Sequence, residues 1–338
     1  MSHELDFSND RANMAYVCQV PWHGFGKLMS PKADAETWKV EAGMDWIAEE
    51  SAVLFPIKEF VNAETVYDVY PGQKVIYRSD NFNPLSIVTG KYKIVQPGQM
   101  IDFFANLIQH HGFKMETAGC LYGGRIFWAL AQTGKGEDIG GGDIIKPYAL
   151  IVSSVDGKMA TCVHLTSIRV VCWNTLRMSI GTTGNKAIVR VPHNQFFNPE
   201  EAQIKAGLVE GVWETFLNNA KILTGIKVNK ATALDILFAT MKTNWRTEEG
   251  EVLGREDIED VSKSVKKIMS LYLDNKSLGS HLVSAKGTAW GFLNSVTQYC
   301  DYNAGLNTGN LSNAFVRTHF KDRSNFKIKV ANSLLELV

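Results

Sequence analysis

Three consecutive apolar runs decide the fold class: RIFWALAQ at residues 125–132, YALIVSSVDG at 148–157 and MATCVHLTSIRVVC at 159–172. All three are rich in β-branched and aromatic residues, which favour strands. Asp156 and Gly157 form a pair that is typical of a tight hairpin turn. With FKMETAG (113–119) before them and AIVRVP (187–192) after them, these runs predict a mixed or antiparallel sheet.

The chain on the N-terminal side continues this β-rich pattern. Short strand-like runs between residues 52 and 95 alternate with turn signals, and Pro97 then opens a helix that Gly112 ends. The first 50 residues are rich in Trp and Gly and predict an arm, which includes a short helix that Asp34 caps.

The chain on the C-terminal side is mainly helical. Pro199 with two glutamates starts a long helix, Asn229 caps a second one, and Thr288 begins another that runs to Tyr302. We therefore predict an α+β protein in which a sheet with a packed helix is followed by a mainly helical half. The predicted divisions are an N-terminal arm at residues 1–50, a sheet domain at 51–198 and a helical domain at 199–338.

Composition limits the possible functions. Hydrophobic residues make up 45% and charged residues 21%, which is typical of a folded soluble protein. The 35 basic residues equal the 35 acidic ones, which disfavours a protein that coats nucleic acid through bulk charge. No apolar run is long enough to span a bilayer and the N-terminus is polar, so we expect a cytoplasmic protein that makes no membrane contact.

Cysteines and catalytic motifs give no positive sign of chemistry. The five cysteines lack a CxxC pair, which favours buried free thiols; Cys162, His164 and Cys172 as zinc ligands are the weaker alternative. Phosphate-loop, dinucleotide, HExxH and GxSxG signatures are missing. We therefore predict no cofactor, no metal site and no catalytic residue. An enzyme with an unrecognised site around His23, His164 and Arg169 stays open as a third hypothesis.

The distribution of charge is more informative than its total. Residues 161–199 contain four basic side chains and no acidic one. Cations interleaved with aromatic rings can neutralise phosphates and stack on unpaired bases. The predicted nucleic-acid-binding residues are Arg169, Trp173, Arg177, Lys186 and Arg190. An ordinary sheet whose arginines satisfy carbonyls and distant carboxylates is the alternative.

Two further segments could take part. A second basic patch is predicted near the C-terminus, at Arg317, Lys321, Arg323 and Lys327. Near the N-terminus, Trp22, His23 and Phe25 lie among flexible glycines, which is typical of an arm that fills a slot on its own domain or on a neighbouring subunit. The glycine-rich stretch 133–143 predicts a mobile hairpin tip.

Three motifs together resemble the phage/plasmid-like protein family, domain-of-unknown-function family 932. They are PWHGFG at residues 21–26, RVVCWNTL at 169–176 and GTAWGFLN at 287–294, the last followed by Val296, Thr297 and Tyr299. Trp173 stands where the family pattern has a polar residue, and Cys300-Asp301-Tyr302 where it has Val-Asp-His. The resemblance implies a bacterial or viral cytosolic protein that serves DNA maintenance, recombination or host takeover.

The first half also has a looser architectural similarity to single-strand annealing proteins, which are oligomeric. We therefore expect a non-enzymatic protein of a phage or plasmid that binds single-stranded nucleic acid, with DNA as the expected form, as a homo-oligomer. Annealing or recombination is its expected role. The alternative is a protein that binds and blocks a host factor through its helical half and its Trp-rich arm.

Overall fold

The computed structural model describes residues 4–7, 11–21, 23–58, 65–167, 188–207, 210–241, 254, 262–300 and 322–337. They fall into two compact units. The first draws on Met1–Gly134, Tyr148–Leu176 and Ile188–Leu208, and the second on Lys135–Pro147, Arg177–Ala187 and Val209–Val338. The first unit holds two sheets, and the second is mainly helical.

A seven-stranded sheet forms the centre of the first unit. Its strands are β1 (Met14–Tyr16), β2 (Lys27–Leu28), β6 (Lys114–Leu121), β7 (Ile126–Gln132), β10 (Tyr148–Ser154), β11 (Thr161–Thr166) and β12 (Val189–Val191). Their order across the sheet is β12-β11-β10-β7-β6-β1-β2, and β1 pairs with β2 in parallel while the other neighbours are antiparallel. The first 50 residues thus supply two strands of this sheet.

The predicted hairpin at Asp156-Gly157 joins β10 to β11. Leu150 lies opposite His164, and the connection spans residues 155–160, longer than a two-residue turn. The Asp156 carboxylate accepts a hydrogen bond from the Lys158 amide at 3.0 Å, and Gly157 has a φ of +72°, which a residue with a Cβ rarely adopts.

A second sheet has three antiparallel strands, β3 (Ala48–Lys58), β4 (Thr65–Arg78) and β5 (Pro84–Thr89), with β4 in the middle. β5 pairs only with Gln73–Tyr77 of β4. The remainder of β4 pairs with β3 alone, from Leu54 opposite Val69 to Lys58 opposite Thr65. Beyond β5, this sheet therefore continues as a two-stranded ribbon.

Two helices pack on the seven-stranded sheet. They are α1 (Ala35–Glu41), which the Asp34 carboxylate caps at the Thr37 amide, and α2 (Gly98–His111), which ends at Gly112 with a φ of +70° as predicted. Phe103 and Phe104 of α2 are fully buried and share one hydrophobic core with Phe127 of β7 and Ile151 of β10. Burial of this apolar face is what holds α2 on the sheet.

A buried charge network links the N-terminal segment to β4. The Arg78 side chain is 1% exposed and donates to the carboxylates of Asp6 and Asp80 at 2.8 and 2.7 Å. Its guanidinium carbon lies 4.4 Å from the centre of the Trp46 ring, and the Asn13 amide donates to Asp6 at 2.7 Å. Each charge is paired, which is the condition for burying it.

The second unit contains α4 (Glu210–Gly225), α5 (Lys230–Thr240), α6 (Lys263–Leu273), α7 (Ala289–Gln298) and α8 (Asp322–Leu335); α3 (Pro199–Gly207) belongs to the first unit. Asn229 and Thr288 cap α5 and α7 as predicted. Leu237, Ile268, Phe292 and Leu334 meet in the core of this unit.

The glycine-rich stretch differs from its prediction as a mobile tip. Strands β8 (Glu137–Asp138) and β9 (Ile144–Ile145) form a short hairpin within the helical unit. Ile139 and Ile145 are buried with Leu217, and the Ser284 hydroxyl donates to Asp143 at 2.6 Å. The glycines only form the turn, and the two isoleucines beside them supply the apolar area that fixes the hairpin.

The α+β class, with the sheets in the first part of the chain and most helices in the second, is confirmed. Within the described residues, every helix is too short or too polar to cross a bilayer.

Candidate nucleic-acid interface

The segment between β12 and α3 is held against the first unit by His193. This side chain is 9% exposed, and its Nδ1 and Nε2 lie 2.9 and 3.1 Å from the carbonyl oxygens of Lys93 and Met159. The Lys93 amide in turn donates to the His193 carbonyl oxygen. One side chain therefore joins three segments that are far apart in the sequence.

Tyr92 packs on the His193 side chain and contacts one of the same segments. Its ring stacks on the His193 imidazole, with 4.5 Å between ring centres and 17° between planes, and its hydroxyl donates to the Ser154 carbonyl oxygen at 2.8 Å. Burial raises the pKa of Tyr92 well above its ordinary value. The phenol therefore stays protonated and keeps its hydrogen bond at physiological pH.

The protonation of His193 follows from its surroundings. Burial lowers the pKa of His193 and outweighs the two carbonyl contacts and the charge of Asp156, which act to raise it. A neutral imidazole has one N–H, so it donates to one of the two carbonyl oxygens at a time. At neutral pH the His193 side chain is therefore uncharged.

Tyr92 lines two grooves. The larger one, about 510 Å³, is lined by Ala48, Glu49, Glu50, Lys74, Tyr77, Tyr92, Lys93, Ile94, Gln96 and Phe196. The Lys74 ammonium pairs with Glu50, and Glu49 raises the pKa of Tyr77 through a hydrogen bond. This groove therefore mixes both signs of charge with aromatic rings.

The smaller groove, about 350 Å³, is more uniformly basic. It is lined by Thr89, Lys91, Tyr92, Gly157, Lys158, Met159, Ala160, Pro192, His193 and Asn194. Both charged side chains in this set, Lys91 and Lys158, are cationic, and the Lys158 ammonium lies 3.7 Å from the Asp156 carboxylate. An anion such as a phosphate fits this lining better than a cation does.

Phe196 is the most exposed aromatic side chain at this site. It is 77% exposed, and the Lys93 ammonium lies 4.6 Å from the centre of its ring. Exposing a phenyl ring to this extent leaves its apolar area in water, and the free ring face is a stacking surface for a base. Phe197, the next residue, packs instead against the core.

The family of the chain follows from a comparison with known proteins. The family model described as Domain of unknown function (DUF932) matches residues 84–328, which is more than half of the chain. The chain belongs to the DUF932 family. No curated protein and no solved structure matches it. The region shared with DUF932 includes Tyr92, Lys158, His193 and Phe196, and the β3 wall of the larger groove lies before it.

Most of the residues that the sequence predicts for nucleic-acid binding lie outside the described residues: Arg169, Trp173, Arg177 and Lys186. Arg190 is described, on β12, half-buried and opposite Cys162 in the ladder. Burial raises the pKa of Cys162 to about 11, although the charge and the hydrogen bond of Arg190 act to lower it. Arg190 therefore contacts a thiol that stays protonated at neutral pH.

Of the second predicted basic patch, the structure describes the side chain of Lys327 alone, and this side chain is buried. Lys327 is 5% exposed, and a lysine this buried does not reach phosphate from solution. Arg317 and Lys321 lie outside the described residues, and Arg323 is placed on α8 without a described side chain.

The predicted N-terminal arm is also only partly described. Trp22 lies outside the described residues, and His23 and Phe25 stack on each other with 5.7 Å between ring centres. Phe7 meets Phe25 edge to face at 5.3 Å. The hypothesis of an enzyme site named His23, His164 and Arg169. His164 is buried on β11 and therefore does not face a groove, and Arg169 lies outside the described residues. No group of three metal-ligating side chains occurs among the described residues.

Sequence reasoning missed Lys91, Lys93, Lys158 and Phe196. Lys91 and Lys158 follow glycines, which places them at turns, where side chains are exposed. That signal was present in the sequence, but it does not show that the two turns meet. The His193 contacts bring residues 91–93, 157–159 and 193–196 together.

Proposed function

We propose that this protein binds single-stranded nucleic acid, with DNA as the expected form, through the two grooves beside Tyr92. The observation that carries the proposal is Phe196, a largely exposed ring under the Lys93 ammonium, at the edge of a groove. An aromatic platform next to cations is the arrangement that non-specific single-strand binders use. The absence of acidic residues from 161–199 supports it, because that segment leads into the site.

Single strands fit this site better than a duplex does. Phe196 can stack only on a base whose face is free, and the chain as a whole carries no net charge with which to hold a duplex backbone. The resemblance to phage and plasmid proteins supports a role in annealing or recombination on such elements. Arg169, Arg177 and Lys186, which lie outside the described residues, remain predicted phosphate contacts.

Fluorescence anisotropy of a labelled oligothymidylate tests the proposal. With Lys91, Lys93 and Lys158 on phosphates, affinity should fall about 20-fold between 50 and 200 mM salt, since three single-strand phosphate contacts give a log–log slope of about −2. The Lys91→Gln/Lys158→Gln variant should lose about two thirds of that slope. Lys32→Gln, on an exposed loop, is the matched control.

The aromatic contact is tested separately. Phe196→Ala should weaken binding by about 5- to 150-fold, as one stacked base contributes about 1–3 kcal/mol. Phe82→Ala, which removes an equally exposed phenyl ring at 74% exposure, should leave affinity unchanged. Absent binding at 50 mM salt, or equal losses for both variants, would refute the proposal.

A further inference from the structure

His193 makes two contacts that a neutral imidazole cannot satisfy together. Its Nδ1 lies 2.9 Å from the Lys93 carbonyl oxygen, and its Nε2 lies 3.1 Å from the Met159 carbonyl oxygen. A carbonyl oxygen only accepts hydrogen bonds, and a neutral imidazole has a single N–H. One ring nitrogen therefore presents its lone pair to an oxygen, and a second proton on the ring would turn this contact into a hydrogen bond.

The smaller groove places charged side chains around this imidazole. Lys91 and Lys158 line the groove together with His193, and both lysine side chains are exposed. The Asp156 carboxylate acts to raise the pKa of His193, and it also lies 3.7 Å from the Lys158 ammonium. Two cations and one anion therefore surround the ring, and the two cations oppose its protonation.

The other titratable groups on the packed segments make contacts of their own. The Tyr92 ring, which stacks on the imidazole, stays uncharged because burial raises its pKa. The Lys93 ammonium lies over the Phe196 ring, and Arg190 of β12 forms a hydrogen bond with Cys162. The charge of this groove therefore depends on the two lysines, on Asp156 and on the imidazole itself.

A bound phosphate changes the balance at His193. In the free protein, burial disfavours the cationic ring and lowers its pKa. A phosphate held by Lys91 and Lys158 offsets the two cations that oppose protonation, and it adds a negative charge to the groove that the imidazole lines. A negative charge at close range favours the cationic form of an imidazole. Phosphate and proton therefore stabilise each other at this groove.

We propose that nucleic acid in the smaller groove is bound together with a proton on His193, so that its affinity rises as pH falls. This inference rests on the proposed function and adds the regulation of that site by pH. The cationic ring adds a third positive charge to the wall of the groove. It also donates to both carbonyl oxygens, which fixes residues 91–93 and 157–159 on the segment that carries Phe196.

The direction of the effect follows from linkage between the two equilibria. A ligand that raises the pKa of a group takes up protons as it binds, and its affinity grows with the proton concentration. The pKa of His193 in the free protein lies below its ordinary 6.5, and the bound phosphate raises it. The affinity should therefore change most at mildly acidic pH.

Fluorescence anisotropy of labelled oligothymidylate at constant ionic strength measures the coupling on the full chain. Thymine and phosphodiester groups do not titrate between pH 5.5 and 7.5, the range of histidine, so the change belongs to the protein. The wild type should bind about 3- to 10-fold more tightly at pH 5.5 than at pH 7.5. His193→Gln should remove this ratio, whatever the size of its two affinities, because glutamine takes up no proton. His110→Gln, at an exposed histidine on α2, should keep the wild-type ratio.

Two further measurements keep His193 in place. Lys91→Gln/Lys158→Gln should also lose the pH dependence, because no phosphate is then held beside the imidazole; this variant replaces His193→Gln if the latter misfolds. Calorimetry of the wild type at pH 6 in two buffers that differ in ionisation enthalpy should show a net uptake of about 0.3–1 proton per bound chain.

The outcomes separate this inference from the proposed function. Equal binding at both pH values, a pH dependence that His193→Gln retains, or binding without proton uptake overturns the coupling and leaves the proposed function standing. Absent binding at either pH refutes the proposed function and the coupling with it.

Discussion

Replacing Arg78 with methionine should destabilise the first unit more than any change at a surface charge. Methionine keeps most of the volume but removes the guanidinium that pairs with Asp6, whose side chain is 2% exposed. The Asn13 amide still donates to this carboxylate, but the cation that pairs with it is gone. Removing one partner of a buried ion pair costs about 3–5 kcal/mol in the free energy of unfolding.

Urea unfolding followed by tryptophan fluorescence measures this loss, since Trp46 lies directly under the guanidinium. The matched control is Arg11→Met. Arg11 pairs with Glu41 at 2.6 Å, but its side chain is 45% exposed, so its removal should cost about 0–1 kcal/mol. Arg78 is buried and pairs with two carboxylates, whereas Arg11 is 45% exposed and pairs with one.

A second variant separates the charge from the packing. Asp6→Asn combined with Arg78→Met removes both charges of this pair. Because no buried carboxylate is then left without its cation, part of the lost stability should return. The reasoning is refuted if Arg78→Met lowers the free energy of unfolding by no more than Arg11→Met does. It is also refuted if the double variant loses more free energy of unfolding than the two single variants lose in sum.

Two further changes have definite expected outcomes. Gly291→Ala on α7 should lower the free energy of unfolding in urea by about 3 kcal/mol or more, because its Cβ would lie 1.8 Å from the Ala285 carbonyl oxygen. The control Gly225→Ala has open space for its Cβ and should lower it by less than about 1 kcal/mol, and equal losses would contradict this. Burial lowers the pKa of His193 below its ordinary 6.5, so the unfolded chain binds the proton more readily, and the free energy of unfolding should fall as pH drops below about 6.5. His193→Gln should flatten that dependence between pH 5 and 7, and an unchanged slope would show that other groups cause it.

The local parts of the fold could be predicted because their causes are local. Asp34, Asn229 and Thr288 each accept the amide hydrogen bond of the third residue after them, and a capping side chain needs no information from elsewhere in the chain. Gly112 ends α2 for the same reason, with a φ that favours glycine. The order of the seven-stranded sheet is non-local, and no spacing in the sequence indicates that β1 lies beside β6.

The candidate site was missed for that non-local reason. Lys93 and Phe196 are a hundred residues apart, and His193 joins their segments through hydrogen bonds to carbonyl oxygens, a contact that any residue type can accept. The charge pattern of residues 161–199 pointed to this part of the chain. It could not show that lysines from two other turns supply the cations.

The ribbon shows a different limit of sequence reasoning. VLFPI and TVYDVYPG have the apolar density of strands that are covered on both sides, and they do form strands. Such a pattern indicates that a strand should be buried, but not by which molecule. Within the described residues, however, the large apolar side chains of the β3–β4 ribbon are 39% to 63% exposed. The burial that the sequence pattern indicates is therefore not achieved by this part of the chain.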